Sequence, residues 1–228
     1  PSMNLLGMMH ADMPALNDKT KWLPNQLAAR CLFEPVSAAF EAAAKQGHAI
    51  AQYNIGMIYS HGEGRDENFA QAAYWLEKAA EQGHAPAQYD LATLYYEGRG
   101  VGVDEAKAAH WLNKAADAGM PAAQLEFARM LAKGEGVAKD EKRAFHYIKK
   151  AALKGNVVAQ NRLARFYFFG IVVDSDLVEG AKWHLLARAG GVADMGLDTL
   201  LAKMPADQRK KAESTAGEWA SRATVGIQ

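Results

Sequence analysis

Seven histidines, a single cysteine and a series of Gly-x-Gly pairs are the first places to look for chemistry in this chain. Zinc catalysis on a helix needs two imidazoles one turn apart with an acid between them, as in His-Glu-x-x-His. The sequence has no such run. His48 and His84 stand 36 residues apart at a helix end, where an imidazole can satisfy terminal carbonyls and complement the helix dipole. His110 and His146 share another position, on the outer side of a helix. His184 falls where Leu76, Leu112 and Ile148 are apolar, and reads as a core histidine with partial exposure. The pairs opened by Gly62, Gly98 and Gly134 resemble a phosphate cradle, but no strand precedes them and no Gly-Lys-Ser/Thr follows, so they read as turns. Cys31 can form neither an intrachain disulfide nor a thiolate cage, and reads as a small buried apolar residue. Neither a metal nor a cofactor is expected.

What remains is the chemistry of recognition. Tyr53 and Met57, then Tyr89, Thr93 and Tyr96, then Leu125 and Arg129, and finally Asn161, Arg162, Arg165 and Phe168 occupy related places that differ in kind along the chain. Aromatic rings give large rigid contact areas and guanidinium groups bind carboxylates in a fixed fork, the composition of interface anchors. These residues are the expected lining of a groove that holds a protein or peptide partner, with Arg129, Arg162 and Arg165 gripping an acidic or carboxylate group. The plainer reading is that exposed Tyr, Met and Arg are ordinary on helices, and that aromatics near a repeat junction pack on the next unit.

The elements that position these side chains follow from a period of 36 residues. Trp75, Trp111, Tyr147 and Trp183 fall at equal steps, as do Gln52, Gln88, Gln124 and Gln160, and Ala51, Ala87, Ala123 and Ala159. Four full units result, at 49–84, 85–120, 121–156 and 157–192. Within a unit, residues such as Ala87, Leu91, Ala92 and Tyr95 share one face of a first helix, A. Helix A ends at Gly62, Gly98, Gly134 or Gly170, because glycine takes the left-handed conformation after a helix without steric cost. Helix B opens at Asn68, Asp104, Asp140 or Asp176, whose side chains can accept from unpaired first-turn amides. Glu179, three residues after Asp176, predicts a capping box. Helix B buries Ala108, Trp111, Leu112, Ala115 and their equivalents, and ends at Gly83, Gly119, Gly155 or Gly191. Positions 2, 5, 9 and 12 of a unit lie opposite the packing face of helix A and are expected to point into the groove.

The run Ala87-Gln88, Leu91-Ala92, Tyr95, Gly98, Gly100-Val101, Asp104, Lys107-Ala108, Trp111, Lys114-Ala115-Ala116 and Gly119 resembles a full Sel1-like repeat, and the resemblance covers most of residues 34–192. Leu131 and Tyr147 depart from it in the third unit, and Val172, Gly180 and His184 in the fourth. The resemblance implies an all-α, right-handed α/α superhelix, a solenoid of antiparallel helix pairs related to tetratricopeptide arrays, with the A helices on the inner wall. It also implies a non-catalytic adaptor in bacterial signalling, envelope or secretion processes. Cysteine-rich relatives have been linked to penicillin binding, so a hydrolase of cell-wall or β-lactam substrates is an alternative. It would need Ser-x-x-Lys and Lys-Thr-Gly, and neither occurs. A self-assembling structural module is a further alternative.

The ends are read in the same register. Ala39, Ala43, Ala44 and Gly47 place helix B of a degenerate first unit at 34–48. Leu6 to His10 resembles part of its helix A, which leaves 11–33, with Trp22, as an insertion. The chain would thus begin inside a repeat, with Pro1-Ser2 as a cloning remnant and a leader on a longer parent lost from view. A fifth helix A is expected from Ala193 to Lys203, and then a polar capping helix over 206–221 whose apolar face is Ala212, Ala216 and Trp219, followed by a frayed tail. The 26 basic and 26 acidic side chains cancel, which argues against nucleic acid. No apolar run reaches the length of a membrane span. The protein is expected to be a monomer, in an exported or a cytoplasmic compartment.

Overall fold

The computed structural model describes residues 37–63 and 66–225. These hold eleven helices and no strand: α1 (37–45), α2 (Ala49–His61), α3 (Phe69–Glu81), α4 (Ala85–Glu97), α5 (Glu105–Asp117), α6 (Pro121–Lys133), α7 (Glu141–Leu153), α8 (Val157–Phe169), α9 (Leu177–Ala189), α10 (Met195–Lys203) and α11 (Ala206–Val225). The expected elements at 6–10 and 11–33 lie outside the described residues. The α1 helix falls inside 34–48, where a helix B is expected upstream of the first full unit, and 34–36 lie outside the described residues.

Capping explains where the helices begin and end. Asn68, Asp104 and Asp140 accept the amides of Gln71, Lys107 and Arg143 at 3.0, 2.9 and 2.9 Å, and each such cap contributes about 1 kcal/mol. Asp176 takes two amides, of Val178 and Glu179. The capping box expected there is only half formed, because Lys182 and the Trp183 indole hold the Glu179 carboxylate at 2.6 and 3.1 Å. The A helices end on left-handed glycines at Gly62, Gly98, Gly134 and Gly170.

The pairs α2–α3, α4–α5, α6–α7 and α8–α9 pack within units, and α3–α4, α5–α6 and α7–α8 pack between them. Within the four units the main contacts join only neighbours in sequence, which is what makes a solenoid. Fully buried alanines fill the seams, among them Ala79, Ala80, Ala108, Ala115, Ala151 and Ala152, and small side chains there let helix axes approach closely. Gln52, Gln88, Gln124 and Gln160 each send Nε2 back eight residues to the carbonyls of Ala44, Ala80, Ala116 and Ala152, at 3.1, 3.0, 3.1 and 3.2 Å. Those carbonyls belong to the last turn of the preceding helix B, where no intrahelical partner remains. Each also accepts the amide of the glycine that ends the helix, Gly47, Gly83, Gly119 or Gly155. The buried glutamines are therefore the joints between units.

That corrects the reading of His48 and His84, which were expected to serve terminal carbonyls. His84 heads the next helix instead, and its Nδ1 accepts the Ala87 amide at 3.3 Å. An accepting nitrogen is unprotonated, and burial lowers the pKa of this imidazole, in keeping with a neutral ring. His48 makes no side-chain cap bond.

The A–B turns are nested in two units and not in a third. Gly100 (φ 72°) and Gly136 (φ 63°) lie so close to the start of the preceding helix B that an added Cβ would stand 2.2 Å from the Phe69 carbonyl carbon or 2.0 Å from the Glu105 carbonyl oxygen. The fourth unit has Val172 at that position, still left-handed at φ 69°, a conformation that is strained for a β-branched residue. Around it Phe169, Ile171 and Leu177 are exposed.

At the C-terminal end the period slips. The A helices start after His48, His84, Met120 and Asn156, but α10 starts after Asp194. It is α11 that covers most of α9, with Ala212 and Ala216 buried and Trp219 set edge-on against Trp183 at 5.7 Å. Helix α11 continues to Val225, beyond the expected end at about 222.

Candidate partner-binding face

On each A helix, residues at unit positions 3, 4 and 7 are buried. The opposite stripe runs through positions 2, 6, 9 and 13, one position away from parts of the expected set, so the face is partly redistributed. Tyr53, Met57, Tyr89 and Thr93 are half-buried, and Tyr96 is exposed. Leu125, Asn161 and Phe168 are buried. Phe168 turns inward because Gly180 stands where other units carry Ala72, Ala108 and Ala144. A Cβ at Gly180 would lie 2.9 Å from the Phe168 ring.

A shallow concavity of about 190 Å³ opens between α4 and α6, lined by Tyr89, Ala92, Thr93, Tyr96, Glu97, Leu112, Glu126 and Arg129. Arg129 is already engaged. Its Nε donates to Glu126 at 2.9 Å, its Nη1 donates to Glu135, and its guanidinium lies over the Tyr96 ring, 5.1 Å from the centroid. Burial alone would lower its pKa, but the hydrogen bonds it donates to Glu126 and Glu135 outweigh that and raise it. Glu135 is shared with Lys133 at 3.1 Å.

Arg165 is engaged as well. Its Nε and Nη2 reach one oxygen of Asp194 at 3.1 and 2.6 Å, and Asn161 Nδ2 reaches the same oxygen at 3.1 Å. The other Asp194 oxygen caps α10 through the Leu197 amide. Burial pushes this carboxyl up, yet the Leu197, Arg165 and Asn161 bonds together hold it below the usual carboxylate range. Arg162 is the one member of the expected arginine trio with no ion pair or hydrogen bond among the described residues.

The sequence reading passed over Asp90, Glu126 and Asp194. Asn54, Asp90, Glu126 and Arg162 share position 6 and are polar in every copy, a signal that marks the stripe. Asp90 is half-buried, and burial raises its pKa while Tyr53 and then His61 oppose the rise. Tyr53, whose ring is 4.7 Å from that of His84, has its pKa pushed up to about 12 by burial first and by Asp90 second. The Tyr89 phenol is raised by burial, then by Glu126 and Asp90. His184, expected to be partly exposed, is fully buried, with Nε2 3.0 Å from Asp198, which also meets Arg188 at 3.3 Å.

A family profile described as Sel1 repeat matches residues 49–84, 85–120, 121–156 and 157–192. The chain belongs to the Sel1 repeat family. A Sel1 repeat protein from Oxalobacter formigenes is similar at 33% identity and TM-score 0.66, over 74% of this chain and 48% of that one. The protective antigen c5321, present in uropathogenic Escherichia coli strains and displaying an SLR fold, is similar at 28% identity and TM-score 0.50, over 84% of this chain and 50% of that one. The chain thus spans about half the length of these solved Sel1 repeat proteins. No curated protein matches it. Sel1 repeats are in general non-catalytic protein-interaction modules. Among the described residues of this Sel1 repeat array, no helix is long and apolar enough to cross a membrane.

Proposed function

We propose that this chain is a bacterial adaptor that binds a peptide segment or a helix of a partner protein along its A-helix face, in signalling, envelope or secretion processes, without catalysing a reaction. One observation carries the reading. At matched positions the buried residues repeat, as Gln52, Gln88, Gln124 and Gln160 do, whereas the A face changes, from Met57 with half-buried Tyr53 at its edge, to Thr93 with Tyr89 and exposed Tyr96 beside it, and then to Arg162 and Arg165. Packing accounts for the first set. The second has the aromatic and guanidinium composition of interface anchors. Arg162 is the cation best placed to take a carboxylate of the partner, since Arg129 holds two of the chain's own and Arg165 holds one.

Photo-crosslinking tests this. With a photoreactive phenylalanine at Met57 or Tyr96, a partner adduct is expected from source cells. At Tyr74 or His110, on the outer side of the B helices, none is expected. Equal adducts from both faces would overturn the reading. Self-assembly is a second reading, drawing on exposed Phe169, Ile171 and Leu177 at the fourth turn. Light scattering that rises to a defined oligomer, and falls with Ile171→Ser, would favour it instead.

A further inference from the structure

Resting on the adaptor reading, we infer that the concavity between α4 and α6 receives a basic side chain of the partner, an arginine or a lysine, held by the Tyr89 and Tyr96 rings and the Glu97 and Glu126 carboxylates. The lining is the starting point. It consists of two tyrosines, two carboxylates and one cation, Arg129, among small and apolar residues. The lining carries two carboxylates against this one guanidinium, which Glu126 shares with Glu135 from outside the hollow, so a visiting group meets a net negative lining in which Glu97 supplies the excess.

Arg129 itself displays the chemistry. Its guanidinium lies over the Tyr96 ring with the Glu126 carboxylate 2.9 Å away, which is the geometry in which an aromatic quadrupole and a carboxylate together hold a cation. Tyr96 is exposed, and among the described residues Glu97 beside it pairs with Arg99 alone, at 3.4 Å. A second cation can therefore enter from solvent between Glu97 and Glu126, against Tyr89. Asp90 extends the negative character toward the second unit's inner edge. It is half-buried, and burial makes its charge costly there, a cost that an approaching cation relieves. This complementarity runs opposite to a carboxylate-gripping groove at the same place. Acidic groups of the partner belong farther along, at Arg162.

Three fluorescein-labelled peptide pools of ten residues test the inference. They are identical except that alternate positions are Arg/Lys, Glu/Asp or Gln, and they are titrated into the full chain at low and at physiological salt, with NMR shifts mapping the contacts. The basic pool is expected to bind best, to shift Tyr89 and Tyr96 resonances, and to weaken as salt screens the carboxylates. Glu97→Gln with Glu126→Gln should weaken it roughly tenfold, since an aromatic–carboxylate site for a cation is of that order. Exposed Glu97→Lys serves as a second variant that leaves the Arg129 bonds intact, and it should weaken binding as well. Unchanged basic-pool affinity in both variants overturns the inference. Preferential binding of the acidic or neutral pool on the A face overturns it too, while leaving the adaptor reading standing. No pool shifting any A-face residue defeats both.

Discussion

Replacing Gly136 by alanine should damage the solenoid far more than the same change at Gly155, which supplies the control. Both glycines are left-handed, at φ 63° and 83°. An L-residue in that region costs about 1–2 kcal/mol, so this cost is common to the two variants. They differ in what the new methyl group meets. At Gly155 nothing lies within 4 Å, whereas at Gly136 the Glu105 carbonyl oxygen would be 2.0 Å away and the Ala106 amide nitrogen 2.8 Å away. Backbone cannot swing aside as a side chain can, so the turn must lift off α5. Overpacking of this kind adds about 1–3 kcal/mol, for a total of about 2–5 kcal/mol against about 1–2 for the control. Urea unfolding followed by far-UV circular dichroism measures both. Hydrogen exchange should place the extra loss at the start of α5 and at the α6–α7 turn. Equal destabilisation of the two variants would refute the nesting argument.

Val172→Gly tests the same turn in reverse, and should raise stability by about 1 kcal/mol in the urea experiment, as left-handed strain is relieved and partly offset by glycine's unfolded-state freedom. Gln124→Glu puts a charge where an amide donates to the Ala116 carbonyl. It should cost about 3 kcal/mol or more at pH 7, with recovery below pH 5 as the buried acid protonates; a loss independent of pH would contradict this. Asp194 has a lowered folded pKa, so its contribution is whole above the ordinary Asp value of ~3.9 and fades as pH falls through the folded value. Asp194→Asn should therefore cost about 1 kcal/mol at pH 6, a figure kept small because half of the Arg165 side chain is open to solvent. It should also flatten the acid limb of the α10 hydrogen-exchange profile. Asp90 has the opposite shift: Asp90→Asn should stabilise the chain at pH 7 and make no difference at pH 3, where the carboxyl is neutral in both folded and unfolded chains. A gain that persists at pH 3 would mean the burial argument is wrong.

The architecture was legible because packing leaves a periodic imprint. The equal steps from Trp75 to Trp183 and from Gln52 to Gln160 locate every helix pair, and the Asn68, Asp104, Asp140 and Asp176 caps fix where the B helices open. The face was legible only in outline. Phe168 sits at position 12, where the sequence pattern expects the face, and its burial depends on the missing methyl group of Gly180, a contact between helices that the A-helix sequence alone does not contain. The arginines were visible as cations, but not their pairing, since Arg129 reaches around the helix end to Glu135 and Arg165 reaches across units to Asp194. Asp90 and Glu126 were in plain view at position 6. They were passed over because the stripe was centred one position away, on residues that prove half inside the seam.

Each glutamine joint is confined to a stretch of nine residues, from the accepting alanine to the donating amide. Cutting the chain inside one such stretch and rejoining it inside the next restores donor to acceptor, with the reading frame of the fold intact. Array length is in that sense a free variable. Gaining or losing a whole module by unequal exchange moves the ends of the proposed binding face apart or together without composing a new core.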